Sequence, residues 1–268
     1  MIGVFDSGFG GLTVLKAFLK ELPEYDYVYL GDAARNPYGN HSKENITAFT
    51  RQGVEYLFEQ GAKLVILACN SASANSLRTL QDEMIREPGV TDRNILGVVV
   101  PIAEAVMESG AARVAVIGTR ATIDSGVYED EILQRSEGCS LIFKACPLLV
   151  PLIEEGWAEK METKRILKTY LREVKAANPE VLVPACTHYP ILKKDLDRIM
   201  GSGCKVLDTG AIVAEKLRVY LERHSEIILA KGGTRRFMTT DDAEKFAEMG
   251  SGFLGERISE VECVKLGA

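Results

Sequence analysis

The segment PACTHYP, residues 184–190, places a thiol (Cys186), a hydroxyl (Thr187), an imidazole (His188) and a phenol (Tyr189) on consecutive positions, directly after the apolar run EVLV. A second thiol stands in a similar setting. Cys69 ends the apolar run KLVILA and opens ACNSASA. A cysteine between a strand end and a helix start meets free backbone N–H groups that favour a thiolate, so its pKa is expected to fall from about 8.5 toward neutrality. General bases work best in that range. Two such sulfurs flanking one carbon, one thiolate and one thiol, can take a proton from one face and return one to the other. That chemistry inverts a centre, as a racemase or epimerase does.

Other uses of these residues explain less. A Cys–His nucleophile would employ one thiol and leave the matched pair without a role. Zinc needs three or four ligands at suitable spacing, and three histidines with no CxxC do not supply them. A redox disulfide between Cys69 and Cys186 is a further use, but a substrate-filled cleft would hold the two sulfurs apart. The opening stretch FDSGFGG carries Asp6 and Ser7 ahead of Gly8, Gly10 and Gly11. It lacks the GxGxxG spacing, and an acidic residue before the glycines repels phosphate. Asp6 suits a substrate ammonium, or the tuning of a neighbouring thiol. The turn DAARNPYGNHS offers Tyr38 and the backbone of Gly39. IGTRATIDSG offers Thr119 and Thr122 to a carboxylate. In CPLLVPLIEEGW both Glu154 and Glu155 are candidates to orient His188, and Glu155 is set with the catalytic group. Trp157, the sole tryptophan, is read as packing.

The elements that must position these groups follow from an alternation of short β-rich runs and amphipathic helices. IGVF, YDYVYL, KLVILA, ILGVVV, RVAVIG, SLIFKA, EVLVPA and KVLD read as strands. Stretches such as METKRILKTYLREVKAAN read as helices. The pattern implies an α/β fold with mainly parallel sheets flanked by helices. In the tail, IILAKGG and RRFMTT read as a hairpin, followed by a short helix and a closing strand VECVKL. Strand ends also recur: Asp6 answers to Gly118, and Cys69 to Cys186, so one α/β unit is present twice. Ligands of such sheets sit beyond the carboxyl ends of the strands, and two lobes facing each other would bring both thiols to one cleft.

Composition sets the outer limits. The chain has 268 residues and a formal net charge of −6, with no run of Lys or Arg, which argues against nucleic-acid binding. No apolar stretch is long enough for a bilayer, and the N-terminus lacks the basic start of a secretory signal. Six scattered cysteines without CxxC read as reduced thiols of a cytoplasmic protein. Its apolar faces admit a homodimer as readily as lobe packing.

FDSGFGG, DAARNPYG, ACNSASA, CPLLVPLIEEGW and ACTHYP, in this order, resemble the motifs of the bacterial glutamate racemases, within the cofactor-independent aspartate/glutamate racemases. The resemblance covers nearly the whole chain. It implies two pseudo-symmetric α/β lobes with the site between them, here residues 1–97 with 208–268, and 98–207. It implies interconversion of L- and D-glutamate without cofactor or metal, by Cys69 and Cys186, for peptidoglycan synthesis. Asp6 would assist Cys69, and His188 with a nearby glutamate would assist Cys186. Substrate contacts would come from Asp6, Ser7, Tyr38, Gly39, Asn70, Ser71, Thr187 and His188. Ser71 stands where the family usually has threonine, and Pro184-Ala185 where it usually has Leu-Gly. An aspartate racemase, or an amino-acid-binding regulator without turnover, is the alternative.

Overall fold

The computed structural model describes residues 1–86, 92–136 and 138–267. Ten strands and eleven α-helices follow one another among them. β1 is Ile2–Asp6, α1 Leu12–Glu21, β2 Tyr27–Gly31, α2 Lys43–Glu59, β3 Leu64–Leu67, α3 Asn70–Met84, β4 Asn94–Gly97 and α4 Val99–Glu108. Next come β5 Arg113–Gly118, α5 Arg120–Asp124, α6 Val127–Leu133, β6 Ser140–Ala145, α7 Leu149–Glu154, α8 Met161–Ala176 and β7 Val181–Ala185. The chain closes with α9 Lys193–Met200, β8 Lys205–Val206, α10 Thr209–Arg223, β9 Arg235–Thr239, α11 Ala243–Leu254 and β10 Glu262–Cys263.

The strands form two sheets, ordered β10-β9-β2-β1-β3-β4 and β6-β5-β7-β8, and every pairing is parallel. The order β2-β1-β3-β4 in one sheet is repeated as β6-β5-β7-β8 in the other, the architecture that a duplicated α/β unit requires. Side-chain alternation decides which face each residue serves. Val4, Tyr29 and Ile66 join one apolar cluster, whereas Phe5, Leu30 and Leu67, one position on, join another. Both faces of the first sheet are therefore buried under helices. The first cluster also holds Val114, Val116 and Val183 of the second sheet, so a single core runs between the two. No helix among the described residues is long and apolar enough to cross a membrane.

Two expectations fail. The tail is not a hairpin. β9 pairs parallel with β2, β10 pairs parallel with β9, and α11 makes the crossover between them. IILAKGG forms no strand: Ile228 is 86 % exposed, and the Asp26 carboxylate accepts from the N–H groups of Gly232 and Thr234, both at 2.9 Å, fixing a loop. The run ILGVVV also divides at Gly97. Val99, Ile102, Ala103 and Val106 recur at helical spacing on one buried face, which captures the valines for α4. Pro101 is tolerated there because N–H groups of a first turn have no helical partner.

Pro184 lies within β7 yet disturbs nothing. β8 pairs only with Val181 and Leu182, so that side of Pro184 has no ladder partner for its missing N–H to deprive.

Candidate active site

The site is built at the carboxyl ends of β1, β3, β5 and β7, the central strands of the two sheets and one neighbour of each. After β1 the chain turns through Ser7–Gly11 into α1. A glycine is required at position 10 by close approach, not by φ. A Cβ there would stand 2.2 Å from Thr187 Oγ1 and 2.5 Å from His188 Nδ1. The first sheet's turn is thereby pressed against the second sheet's PACTHYP segment. Thr13 Oγ1 donates to the Thr187 carbonyl at 2.9 Å and reinforces the contact. Across the cleft, a Cβ at Gly39 would stand 2.5 Å from Thr119 Cβ, so the 38–40 turn closes directly onto the start of α5.

Asp6 is completely buried. Its Oδ2 accepts from Gly8 N–H at 3.0 Å, and its Oδ1 accepts from Thr187 Oγ1 at 3.4 Å. Burial raises its carboxyl above the usual range, against the opposing pull of His188 and of the Gly11 and Gly8 N–H groups. Cys69 occupies the N-cap position of α3, and its Sγ lies 3.5 Å from Ser7 Oγ. The thiol is pushed up to about 12, first by burial and then by the Asp6 charge. This reverses the expected direction. The Ala72 N–H of the helix start and the Ser7 hydroxyl do favour a thiolate, but desolvation outweighs them.

Cys186 follows β7, buried, with Sγ 3.9 Å from His188 Nδ1. His188 is held from behind: its Nε2 lies 2.8 Å from Glu154 Oε1, which also accepts from Asn36 Nδ2 at 2.7 Å. Burial alone would lower the imidazole pKa, but the Cys186 sulfur and the Glu154 carboxylate raise it to about 10. Burial would likewise raise Glu154, yet the hydrogen bonds from His188 and Asn36 hold it below the usual carboxylate range. Glu155 is not the partner. It is exposed at the C-cap of α7, one residue past the turn that aims Glu154 inward, and has no hydrogen bond to His188.

The hydroxyls expected to bind substrate lie together. Ser71 Oγ is 2.9 Å from Thr119 Oγ1 and 3.2 Å from Thr122 Oγ1, and the two threonines are 3.0 Å apart. Asn70 is buried beside Cys69, with Oδ1 accepting from the Tyr128 hydroxyl at 2.7 Å. Tyr38 donates to Asp32 and packs near Phe5 and Phe49, so its ring supports the turn and its hydroxyl is taken. Beside these groups a cavity of about 860 Å³, lined by Gly39, Asn75, Arg120 and Leu148 and by neither thiol, opens to solvent. Trp157, read as packing, is 45 % exposed, so only about half of its surface is covered. Among the described residues no group of three or more His, Cys, Asp and Glu side chains could hold a metal ion.

Sequence reasoning missed Asn36 and Tyr128. Asn36 lay in a motif read only for Tyr38 and Gly39, and a polar residue ahead of proline in that turn was the available signal. Nothing local marks Tyr128, since its partner is far away in sequence.

The chain as a whole is similar to known proteins. The profile of the Asp/Glu/hydantoin racemase family matches residues 11–217. A glutamate racemase of Geobacter metallireducens is 38 % identical over 276 residues, covering 100 % of this chain and 97 % of that protein. A glutamate racemase of Francisella tularensis, solved in complex with D-glutamate, superposes with a TM-score of 0.89 at 32 % identity, over 99 % of this chain and 97 % of the other. An isoform from Bacillus anthracis gives a TM-score of 0.91 at 31 % identity, over 99 % and 97 %.

Proposed function

The chain belongs to the Asp/Glu/hydantoin racemase family, and from that premise we propose that it interconverts L- and D-glutamate through two opposed cysteines. The observation that carries this reading is the pair of buried thiols at equivalent strand ends of two sheets with the same strand order, each with its own polar partners. One sulfur, as thiolate, takes the α-proton. The Cα–H electron pair passes into the α-carboxylate as an enediolate. The other sulfur, as thiol, returns a proton to the opposite face, so nothing is consumed but the configuration.

The two faces are served differently. On one, the His188 imidazolium stands beside Cys186 and is held by Glu154. On the other, Cys69 is a thiol while the cleft is empty, with the Asp6 carboxyl behind it. A substrate ammonium near Asp6 offsets that negative charge and makes a Cys69 thiolate less costly. Ser7, Gly39, Asn70, Ser71, Thr119, Thr122 and Thr187 surround the space between the sulfurs and supply donors for the carboxylates. The reading keeps residues 1–97 with 208–268 as one lobe and 98–207 as the other, and β9 and β10 in the first sheet support it. D-glutamate made this way would serve peptidoglycan synthesis in a bacterial cytoplasm.

The test is polarimetric. Purified protein without added cofactor should bring the circular dichroism of L-glutamate to zero, and should act on L-aspartate far more slowly. Faster turnover of aspartate would reassign the substrate. No turnover of either would leave a binding protein.

A further inference from the structure

The Asn70 side chain stands next to Cys69, and an amide can face the cleft in two ways. It can present N–H donors, which suit a substrate carboxylate, or its carbonyl oxygen, which repels one. We propose that Tyr128 decides this choice: it is a positioning residue that takes the Asn70 carbonyl from the far side of the cleft and so turns the amide nitrogen toward the substrate. The inference rests on the amino-acid racemase reading and adds to it a residue outside the reacting set.

Tyr128 is on α6, which packs against α4 and meets α3 and α5, and Asn70 opens α3 of the first half. The phenol is 1 % exposed, and its hydroxyl lies 2.7 Å from Asn70 Oδ1, its hydrogen-bond partner among the described residues. Burial first, and then the charge of Cys186, push the phenol further above its usual range, so it keeps its proton wherever the enzyme works. That proton needs an acceptor. If the Asn70 amide turned over, the phenol would face N–H groups, and its own proton would be stranded in a sealed core. The amide therefore has one stable orientation. In it the Asn70 nitrogen finds no hydrogen-bond partner among the described residues, yet it is not one of the sealed unpartnered atoms, so it keeps accessible surface of its own and is free to meet a ligand.

The contact belongs to a longer seam on α3. Ser71 meets Thr119 and Thr122, Asn75 Nδ2 donates to the Ala121 carbonyl at 3.0 Å, and Arg78 pairs with Glu131 at 2.5 Å. One helix of the first half thus reads the docked position of the second half along its length. Asn70 is aimed only while that docking holds, which ties presentation of the donor to closure of the site.

Tyr128→Phe keeps the ring and deletes the hydroxyl. The expected result is a rise of about tenfold in KM for both glutamate enantiomers, with kcat falling far less and a melting temperature lowered by only a few degrees. Asn70→Ala should raise KM at least as much, and Tyr128→Phe on that background should add nothing. Asn70→Asp, which still accepts from Tyr128 but offers no N–H, should raise KM while the protein melts normally. This variant reports on the proposal even if Tyr128→Phe folds poorly. An unchanged KM in Tyr128→Phe, or KM factors that multiply in the double variant, would overturn the proposal while leaving the racemase reading intact. If the wild type racemises nothing, that reading falls, and the same comparisons made on glutamate affinity by calorimetry decide the proposal alone. A wild type that does not bind glutamate overturns both.

Discussion

Replacing Glu154 by glutamine tests the electrostatics of the Cys186 face with little change of shape. Glutamine retains an oxygen for both hydrogen bonds now received by Oε1, from His188 Nε2 at 2.8 Å and Asn36 Nδ2 at 2.7 Å. What it removes is the charge. A hydrogen bond to a charged partner contributes about 1.5–3 kcal/mol, and each pKa unit corresponds to about 1.36 kcal/mol. The His188 value of about 10 should therefore fall by roughly one to two units, to about 8–9. The alkaline limb of kcat/KM reports the free enzyme's essential acid, so it should move down by the same amount. At a pH between the two limbs, activity should be lower by about tenfold for each pH unit above the variant's new limb. The assay is the initial rate of circular dichroism change from pH 6 to 10.5, with an ¹⁵N titration of His188 in parallel. A limb that stays near pH 10 in Glu154→Gln would refute the reasoning. So would a limb that moves only in Glu155→Gln.

Cys69→Ser and Cys186→Ser should each abolish racemisation, because an alcohol is far too weak an acid to replace either thiol at neutral pH. With a substrate carrying a β-leaving group, each variant should still eliminate from one enantiomer, and the two should prefer opposite enantiomers. In D₂O, product formed early should carry solvent deuterium while recovered substrate stays protiated; early exchange into substrate would contradict two separate bases. Gly10→Ala should cost at least a hundredfold in kcat/KM, since its Cβ would occupy the space of Thr187 Oγ1 and His188 Nδ1, and retained activity would show that this contact is soft. His188 is raised in the fold from 6.5 to about 10. Its contribution to stability is thus complete below about pH 6.5 and is lost as pH rises through about 10, so the wild-type melting temperature should decline over that window more steeply than that of His188→Asn.

The thiols, Asp6 and His188 were legible because each closes or follows an apolar strand run, where chain direction alone puts a side chain at the ligand end of a parallel sheet. The duplication was legible for the same reason. Glu154 and Glu155 are harder to separate, since neighbouring helical positions point about 100° apart and α7 spans few residues. A phasing signal did exist. Glu154 follows buried Val150 by four residues, whereas Glu155 follows exposed Pro151. The Cys69 pKa went the wrong way because a sequence displays the helix start but not the depth of burial or the approach of Asp6. The tail misled because AKGG looks like a turn, whereas parallel pairing needs a crossover, which α11 supplies between β9 and β10. Tyr128–Asn70 links residues 58 positions apart and leaves no trace in local pattern.

The unequal surroundings of the two sulfurs have a consequence that thermodynamics constrains. Enantiomers have equal free energy in an achiral solvent, so kcat/KM must be the same in both directions for the wild type and for every variant. Asp6 and His188 cannot favour one direction in that ratio, however differently they act. Their asymmetry must appear in kcat and KM separately, because these depend on how tightly each enantiomer sits before reaction and which sulfur must then be a thiolate. Asp6→Asn removes a buried carboxyl from behind Cys69, and His188→Asn removes a cation from beside Cys186. Each should lower the shared kcat/KM by roughly ten- to a thousandfold, in keeping with the loss of groups that support general acid–base transfer. The two variants should divide that loss in opposite senses: the direction whose kcat suffers more in Asp6→Asn should suffer less in His188→Asn. Progress curves started from each enantiomer supply all four constants. If both variants depress kcat by the same factor in both directions, the helpers act on the site as a whole, and the assignment of one to each face is wrong.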